Sequence, residues 1–320
     1  MTETLRNSNS PKRVWFYMLF PLLASVFYVL SYTCMRQLAE TQVNPWVIVG
    51  IREFLTAVCG VFLFFTLFLQ GKTPFPRRAQ LITFFLTSLA LQFGGNIFMQ
   101  RSFETVGMGL TTASCWAGNL LCTPIIGWFL LREKLTFRLI FSLSLVFVAV
   151  FFLTSGAEVQ EIVRVPENSA NSAGFQWLAV QFVLLSVLSG GLMAGSNCVV
   201  RWINNAGVSP FFAVMFLPGV GGVGLLGMEF LCNGFQSFYA LSMTEYFFAV
   251  LAAVTNLLAF IFLTLGLRYL SAVRVSIVLI SQLALSPLMG ILLFHEPMNG
   301  MLVVGILFVA VALLVTASET

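Results

Sequence analysis

The chain has 320 residues, of which 59% are apolar and only 9% charged, and its mean hydropathy is +0.95. A soluble domain carries about 25% charged residues, so these values exclude one and place the chain in a bilayer. The formal net charge of +4 comes from basic residues that fall mostly between apolar runs, which reports loop bias and gives no sign of a nucleic-acid partner.

Crossing about 30 Å of hydrocarbon takes about 20 apolar residues. Ten stretches meet that need: Val14 to Met35, Pro45 to Leu69, Gln80 to Phe103, Gly107 to Leu131, Thr136 to Ser155, Phe175 to Val199, Pro210 to Cys232, Thr244 to Gly266, Ala272 to Phe294, and Asn299 to Ala317. Short polar breaks alone separate the third from the fourth and the eighth from the ninth. Lys12 and Arg13 precede the first stretch, which is too long for a cleaved signal and lacks a small-residue cleavage site, so it is expected to stay. Between the fifth and sixth stretches, residues 156–174 are polar and aperiodic, carrying Glu158, Glu161, Arg164, Pro166 and Glu167. They read as an external linker between a first unit, 14–155, and a second, 175–317.

Basic residues orient the chain. With the N-terminus in the cytoplasm, the inner segments hold Arg6, Lys12, Arg13, Lys72, Arg77, Arg78, Arg132, Lys134, Arg138, Arg201, Arg268 and Arg274. The outer segments hold only Arg36, Arg101 and Arg164, alongside Glu40, Glu104, Glu158, Glu161 and Glu167. The positive-inside rule then puts both termini in the cytoplasm, as in a multi-pass protein of a bacterial inner membrane. Five spans per unit is an odd number, so the second unit must run upside down relative to the first.

The two units share their punctuation. Ser31 and Arg36 precede an Asn-Pro pair ending at Pro45, and Ser196 and Arg201 precede a Ser-Pro pair ending at Pro210 at the same spacing. Pro124, Gly127 and Glu133 recur as Pro287, Gly290 and Glu296. Duplicated membrane units suit a transporter, because alternating access needs two similar bundles rocking about one cavity. The expected fold is therefore all-α and integral to the membrane: ten transmembrane helices as two inverted five-helix repeats around a central cavity. Every acidic side chain is Glu, and the six cysteines, Cys34, Cys59, Cys115, Cys122, Cys198 and Cys232, lie in or beside apolar segments without metal-type spacing. No GxxxxGK[ST] occurs, which argues against ATP-driven transport by this chain alone. No cofactor or metal is expected.

These features resemble the drug/metabolite transporter superfamily, and within it the ten-helix transporters of EamA type. The carriers of the resemblance are Arg52 after the Asn-Pro pair, the run PIIGWFLLRE from Pro124 to Glu133, its counterpart PLMGILLFHE from Pro287 to Glu296, and LRYLSAVRVS from Leu267 to Ser276. The resemblance implies helices around a central cavity, the fifth and tenth packed outside it, and translocation of a metabolite or drug. One arm of the superfamily, the four-helix multidrug exporters, uses a Glu in its first span. Neither Val14 to Met35 nor Phe175 to Val199 contains an acid, so that mechanism does not carry over.

Ionisable groups within spans are candidates for function, since a charge at the bilayer centre costs about 2.5–3.5 kcal/mol on insertion scales. Arg52 and Glu53 lie about 10 Å into the second span at 1.5 Å per residue. Adjacent positions face differently, so the two are not expected to satisfy each other fully. Arg52 binds an anionic group or gates, or else it snorkels or ties its helix to a neighbour. Arg101 and Glu104, three apart, read as a structural pair. Glu133 and Glu296 read as interfacial anchors and His295 as solvated or capping.

Neutral polar side chains complete the candidate binding set. Gln92, Asn96 and Gln100 recur every four residues and so share a face that lipid cannot hydrogen-bond. Ser114, Trp116 and Asn119 lie mid-span in the fourth stretch, Asn197 in the sixth, Asn256 in the eighth, and Ser281 with Gln282 in the ninth; Tyr32 adds an aromatic from the first. Interhelical hydrogen bonding is the plain alternative for each. Pro124 and Pro287 free backbone carbonyls and can kink their helices. The glycines of the seventh span, Gly219, Gly221, Gly222, Gly224 and Gly227, serve close packing or sliding.

The expected function is secondary transport of a small organic metabolite, in the outward direction, by a monomer or homodimer. Import or exchange is the alternative within transport. An integral-membrane lipid-modifying enzyme is the alternative outside it, but no H-x-x-x-H or Ser-His-Asp constellation is present.

Overall fold

The computed structural model describes residues 11–41, 43–71, 73–132, 136–156, 172–234, 236–294 and 300–317. The regular elements among them are helices. In chain order these are α1 (Pro11–Glu40), α2 (Pro45–Leu69), α3 (Arg78–Leu89) continued by a π-helical segment (Ala90–Asn96), α4 (Ile97–Ile126) continued by a second π segment (Gly127–Leu131), and α5 (Phe137–Gly156). There follow α6 (Ser172–Asn205), α7 (Pro210–Asn233), the single turn α8 (Gln236–Tyr239), α9 (Met243–Tyr269), α10 (Ala272–Leu279), α11 (Ser281–Phe294) and α12 (Gly300–Ala317).

Among the described residues seven segments are long and apolar enough to cross a membrane: Trp15–Glu40, Pro45–Leu69, Arg78–Thr105, Thr111–Leu131, Val180–Asn205, Pro210–Asn233 and Met243–Tyr269. Three shorter apolar helices, Ile140–Ala149, Ala272–Ser286 and Val303–Ala312, fall inside the expected fifth, ninth and tenth spans. The protein is an all-α, multi-pass integral membrane protein. The linker acids Glu158, Glu161 and Glu167, and the expected anchors Glu133, His295 and Glu296, lie outside the described residues.

Local chemistry explains the repeated Asn-Pro and Ser-Pro pairs: both are helix starts. Asn44 Oδ1 accepts from the backbone N–H of Trp46 at 3.1 Å, and Ser209 Oγ accepts from that of Phe211 at 3.3 Å. Each is followed by a proline at the first helical position, where its missing N–H costs nothing. Ser242 and Glu245 form a capping box at the start of α9, and Ser271 Oγ caps α10 through Arg274 N–H at 3.3 Å.

Helical turns succeed one another from Arg78 to Leu131, yet this run cannot be straight. Ser189 Oγ of α6 donates to Gly95 O at 2.8 Å and lies 3.9 Å from Cys115 Sγ. In a straight helix Gly95 and Cys115 would stand about 30 Å apart. Ser102 Oγ meanwhile donates to Phe182 O at 3.1 Å, one end of α6 further on. The chain therefore folds back between Ser102 and Cys115, the interval that contains the expected break at residues 104–106. The expected ninth span is also divided: Ile280 (φ −61°, ψ −18°) separates α10 from α11. Leu283 N–H bonds Ile280 O at 2.7 Å, and the carbonyl of Leu279 accepts from Ser25 Oγ of α1 at 3.4 Å.

The two halves interleave. Helix α1 packs on α9, α2 on α7, α4 on α6, and α5 on α12, so each principal contact joins the first half to the second. Glycine permits the closest of these. A Cβ on Gly222 of α7 would stand 2.5 Å from the backbone nitrogen of Phe54, and one on Gly60 of α2 would stand 2.6 Å from that of Met215. A Cβ on Gly118 or Gly190 would collide with the carbonyl of Val187 or Cys115, which locks α4 against α6. Loops alternate between two faces. Thr73 Oγ1 accepts from Ser209 N–H at 2.8 Å, joining the α2–α3 and α6–α7 connections on one face. On the other, Asn44 before α2 donates to Glu229 near the end of α7 at 2.8 Å.

Backbone contact this close has a measurable consequence. Gly222→Val is expected to cost about 1–3 kcal/mol by overpacking and to lower the thermal unfolding midpoint of the purified protein. Gly227→Ala, where an added Cβ meets nothing within 4 Å, is expected to leave the midpoint unchanged or raise it.

Candidate functional site

Helix α2 carries a charge pair into the interior. Arg52 and Glu53 are 5% and 3% exposed. Contrary to expectation from their 100° separation around the helix, they pair directly: the long guanidinium curls back, with Nε at 2.9 Å and Nη2 at 2.6 Å from Glu53 Oε1. The carboxylate is completed from α3. Gln92 Nε2 donates to Oε2 at 3.0 Å and Asn96 Nδ2 to Oε1 at 3.4 Å, while the same Asn96 nitrogen donates to Gln92 Oε1 at 2.5 Å. Thr56 Oγ1 links the pair to α9, donating to Arg52 O at 2.9 Å and accepting from Asn256 Nδ2 at 3.3 Å.

Gln92 and Asn96 both stand on the π segment that continues α3. Ile97 N–H bonds the carbonyl of Gln92, five residues back, so the turn that holds Gln92 and Asn96 is wider than an α turn. It presents both amides to Glu53. Gln100, one α turn beyond the π segment, leaves this group and donates instead to Met35 O of α1 at 3.3 Å.

A cavity of about 60 Å³ lies against this network. Of the residues expected to bind substrate, Tyr32, Arg52, Gln92, Asn96, Trp116, Asn119, Asn197, Asn256 and Gln282 line it. Gln100, Ser114 and Ser281 do not, although all three are buried. Ser281 stands next to Gln282 and Ser114 two residues before Trp116, both of which do reach the wall, and on a helix positions one or two apart face differently. Pro124 lies inside α4, directly before the π segment Gly127–Leu131, and Pro287 lies within α11. The cavity also takes in Tyr28, Met193, Ser196, Phe260 and Leu263, which sequence reasoning did not select because apolar and aromatic residues are abundant throughout. Glu53, singled out beside Arg52 as an ionisable group within a span but not counted in the binding set, lines the cavity too.

A second, larger cavity of about 670 Å³ opens at the face that carries the α1–α2 connection. Its lining includes Asn44, Arg101, Glu104, Glu229, Asn233 and Glu245. Glu229 is 2% exposed, and its Oε2 accepts from Asn44 Nδ2 at 2.8 Å and Asn233 Nδ2 at 2.9 Å. Arg101 and Glu104 form the expected i,i+3 pair at 3.1 Å.

The geometry is that of a membrane protein with a polar pocket built from both of its halves, and the first half has known relatives. Residues 15–155 match the EamA-like transporter family. The EamA-like half supplies Tyr32, the Arg52–Glu53 pair, Gln92, Asn96, Trp116 and Asn119 to the pocket. Solved structures resemble the whole fold: 28 chains match, and one described as "Crystal structure of protein" superposes with a TM-score of 0.67 over 93% of this chain and 95% of its own length, at 13% identity. No curated protein matches the sequence.

The charge pair can be tested without a substrate. Arg52→Met leaves the Glu53 carboxylate buried beside amides alone and is expected to cost about 3–5 kcal/mol. Arg52→Met with Glu53→Gln is expected to cost less than the two single changes together, and a double-mutant cycle on thermal unfolding measures that coupling. Additive losses would mean that the two side chains are stabilised independently.

Proposed function

We propose that the chain is a ten-span secondary transporter of EamA type that moves a small organic metabolite by alternating access, with the cavity beside Arg52 and Glu53 as its substrate site. The observation that carries this reading is the composition of that cavity, where mid-membrane polar side chains from both halves converge. Hydrocarbon gives amides no hydrogen bonds, and a path for a polar solute is the use such a lining serves.

The helix pairings support the inverted repeat. If the spans are numbered one to ten, a twofold exchange of the halves maps α2 on α7 and α5 on α12 onto themselves, and maps α1 on α9 onto the packing of α6 against the α3–α4 hairpin. The observed partners follow that exchange. The short helices within the fifth, ninth and tenth expected spans then complete two sets of five. The positive-inside bias places the larger cavity on the external face. The opposite face is held by Ser209 N–H on Thr73 Oγ1 at 2.8 Å, Arg201 Nη1 on Leu267 O at 2.6 Å and Asn204 Nδ2 on Thr264 O at 3.3 Å. This pattern fits a conformer open to the outside and closed to the cytoplasm, from which an exporter would have released its substrate. Import uses the same geometry in reverse.

The reading is of a carrier without catalytic chemistry. The match is to a transporter family, and among the described residues no group of three or more His, Cys, Asp or Glu is placed to hold a metal ion.

Counterflow in proteoliposomes tests the proposal. Vesicles preloaded with an unlabelled metabolite are expected to accumulate its labelled form, and Trp116→Ala and Asn256→Ala are each expected to slow that accumulation at least tenfold. Vesicles that behave like protein-free ones across amino acids, nucleosides, sugars and lipophilic cations would overturn the reading.

A further inference from the structure

The Pro124 and Pro287 signposts mark a second correspondence. Five residues before Pro124 stands Asn119, and five before Pro287 stands Gln282. Both side chains are buried, at 1% and 0% exposure, and both line the cavity beside the Arg52–Glu53 pair. Among the described residues lining it, they carry the fully buried side-chain atoms that have no partner. Asn119 Oδ1 accepts from Thr123 Oγ1 at 3.2 Å, which fixes the amide and leaves Nδ2 with no partner among the described residues. Neither Nε2 nor Oε1 of Gln282 has one. Buried amides without partners are rare in folded proteins, and each one calls for a ligand or an ordered water.

The opposite wall offers the contrast. Both oxygens of Glu53 are engaged, by Arg52, Gln92 and Asn96. The charges of Arg52 and Glu53 cancel, so a solute entering the cavity meets no uncompensated charge. What it meets is one fixed amide donor from the first half and a whole amide from the second. Gln282 also stands in the first turn of α11, just past the break at Ile280, so its position shifts with any change at that joint.

Taking the transport reading as its basis, we infer that Asn119 and Gln282 form a paired amide clamp that grips a carbonyl or carboxylate oxygen of the carried solute, and that this solute has no net charge. The volume of about 60 Å³ admits one such planar group. A solute with net charge would enter a balanced site and forfeit its hydration without a counter-ion.

The test uses the full-length protein in detergent or nanodiscs and two matched probe pairs, glutamine with glutamate and nicotinamide with nicotinate. Calorimetric binding is expected for at least one of the two net-neutral probes, at least tenfold tighter than its charged partner. Asn119→Ala and Gln282→Ala are each expected to weaken that binding about tenfold; Gln282→Ala does so without the loss of any protein hydrogen bond, whereas Asn119→Ala also gives up the one its Oδ1 accepts from Thr123 Oγ1, so Gln282→Ala is the variant that separates binding from stability. Asn119→Asp is expected to reverse the charge preference, so that lysine, a cation, displaces glutamine.

Equal binding of the charged and neutral probes would overturn the inference, and so would unchanged affinities in both alanine variants, as expected if the amides hold only water. In either case counterflow of a bound probe would leave the transport reading standing. Absence of binding by all four probes would overturn the clamp, and failure of counterflow across the wider metabolite panel would remove the transport reading separately.

Discussion

A carboxylate held inside a bilayer must find its cation and its hydrogen bonds within the protein, and the organisation around Glu53 answers that constraint. Arg52 supplies the charge from the next position on the same helix. The remaining capacity of the carboxylate is filled by Gln92 and Asn96 of the π segment Ala90–Asn96 that continues α3. Four residues apart, the two amides lie on one face and reach the same acid. The position of the π segment beside the cavity agrees with the general association of π turns with functional sites.

Close packing of α2 on α7 follows from the same need. Glu53 lies next to Phe54, whose backbone nitrogen faces Gly222 without room for a methyl group. Across this seam Gln92 reaches into the space at Gly221, where a Cβ would overlap its side chain. The small residues of α7 therefore do two things at once. They bring the helices into contact, and they leave room for the amide that completes the acid's hydrogen bonding. Close packing, one of the two readings open from sequence for those glycines, accounts for Gly221 and Gly222; Gly227 borders open space and takes no part.

How much of this could be read from residues alone depended on whether the signal was local. Helix starts at Asn44-Pro45 and Ser209-Pro210 were legible because a cap and a proline act within two residues. The reversal after the third span was legible as a polar break although helical turns continue through it. The pairing of Arg52 with Glu53 was not, because a helical wheel ignores the reach of a guanidinium. The Gln92–Asn96–Gln100 stripe was half legible: periodicity assumes 3.6 residues per turn, and a π segment violates it where the site is built. The division of the ninth span at Ile280 left no mark at all, since no Gly or Pro stands there and Ile280 itself keeps near-helical dihedrals.

That division bears on how the molecule can move. A helix interrupted beside a polar cavity can pivot about the interruption, while an intact one transmits motion along its whole length. In the first half the corresponding device is Pro124, which lacks an N–H and is followed by the second π segment. Each half thus weakens the helix that carries its unsatisfied amide, Asn119 in one and Gln282 in the other, but by different means. A bound group held between the two would couple the joints, because neither amide could shift without losing its bond or pulling the other. Without such a group the joints would be independent. Under the proposed transport reading the solute would then be more than cargo: it would be the link between the two halves of the site.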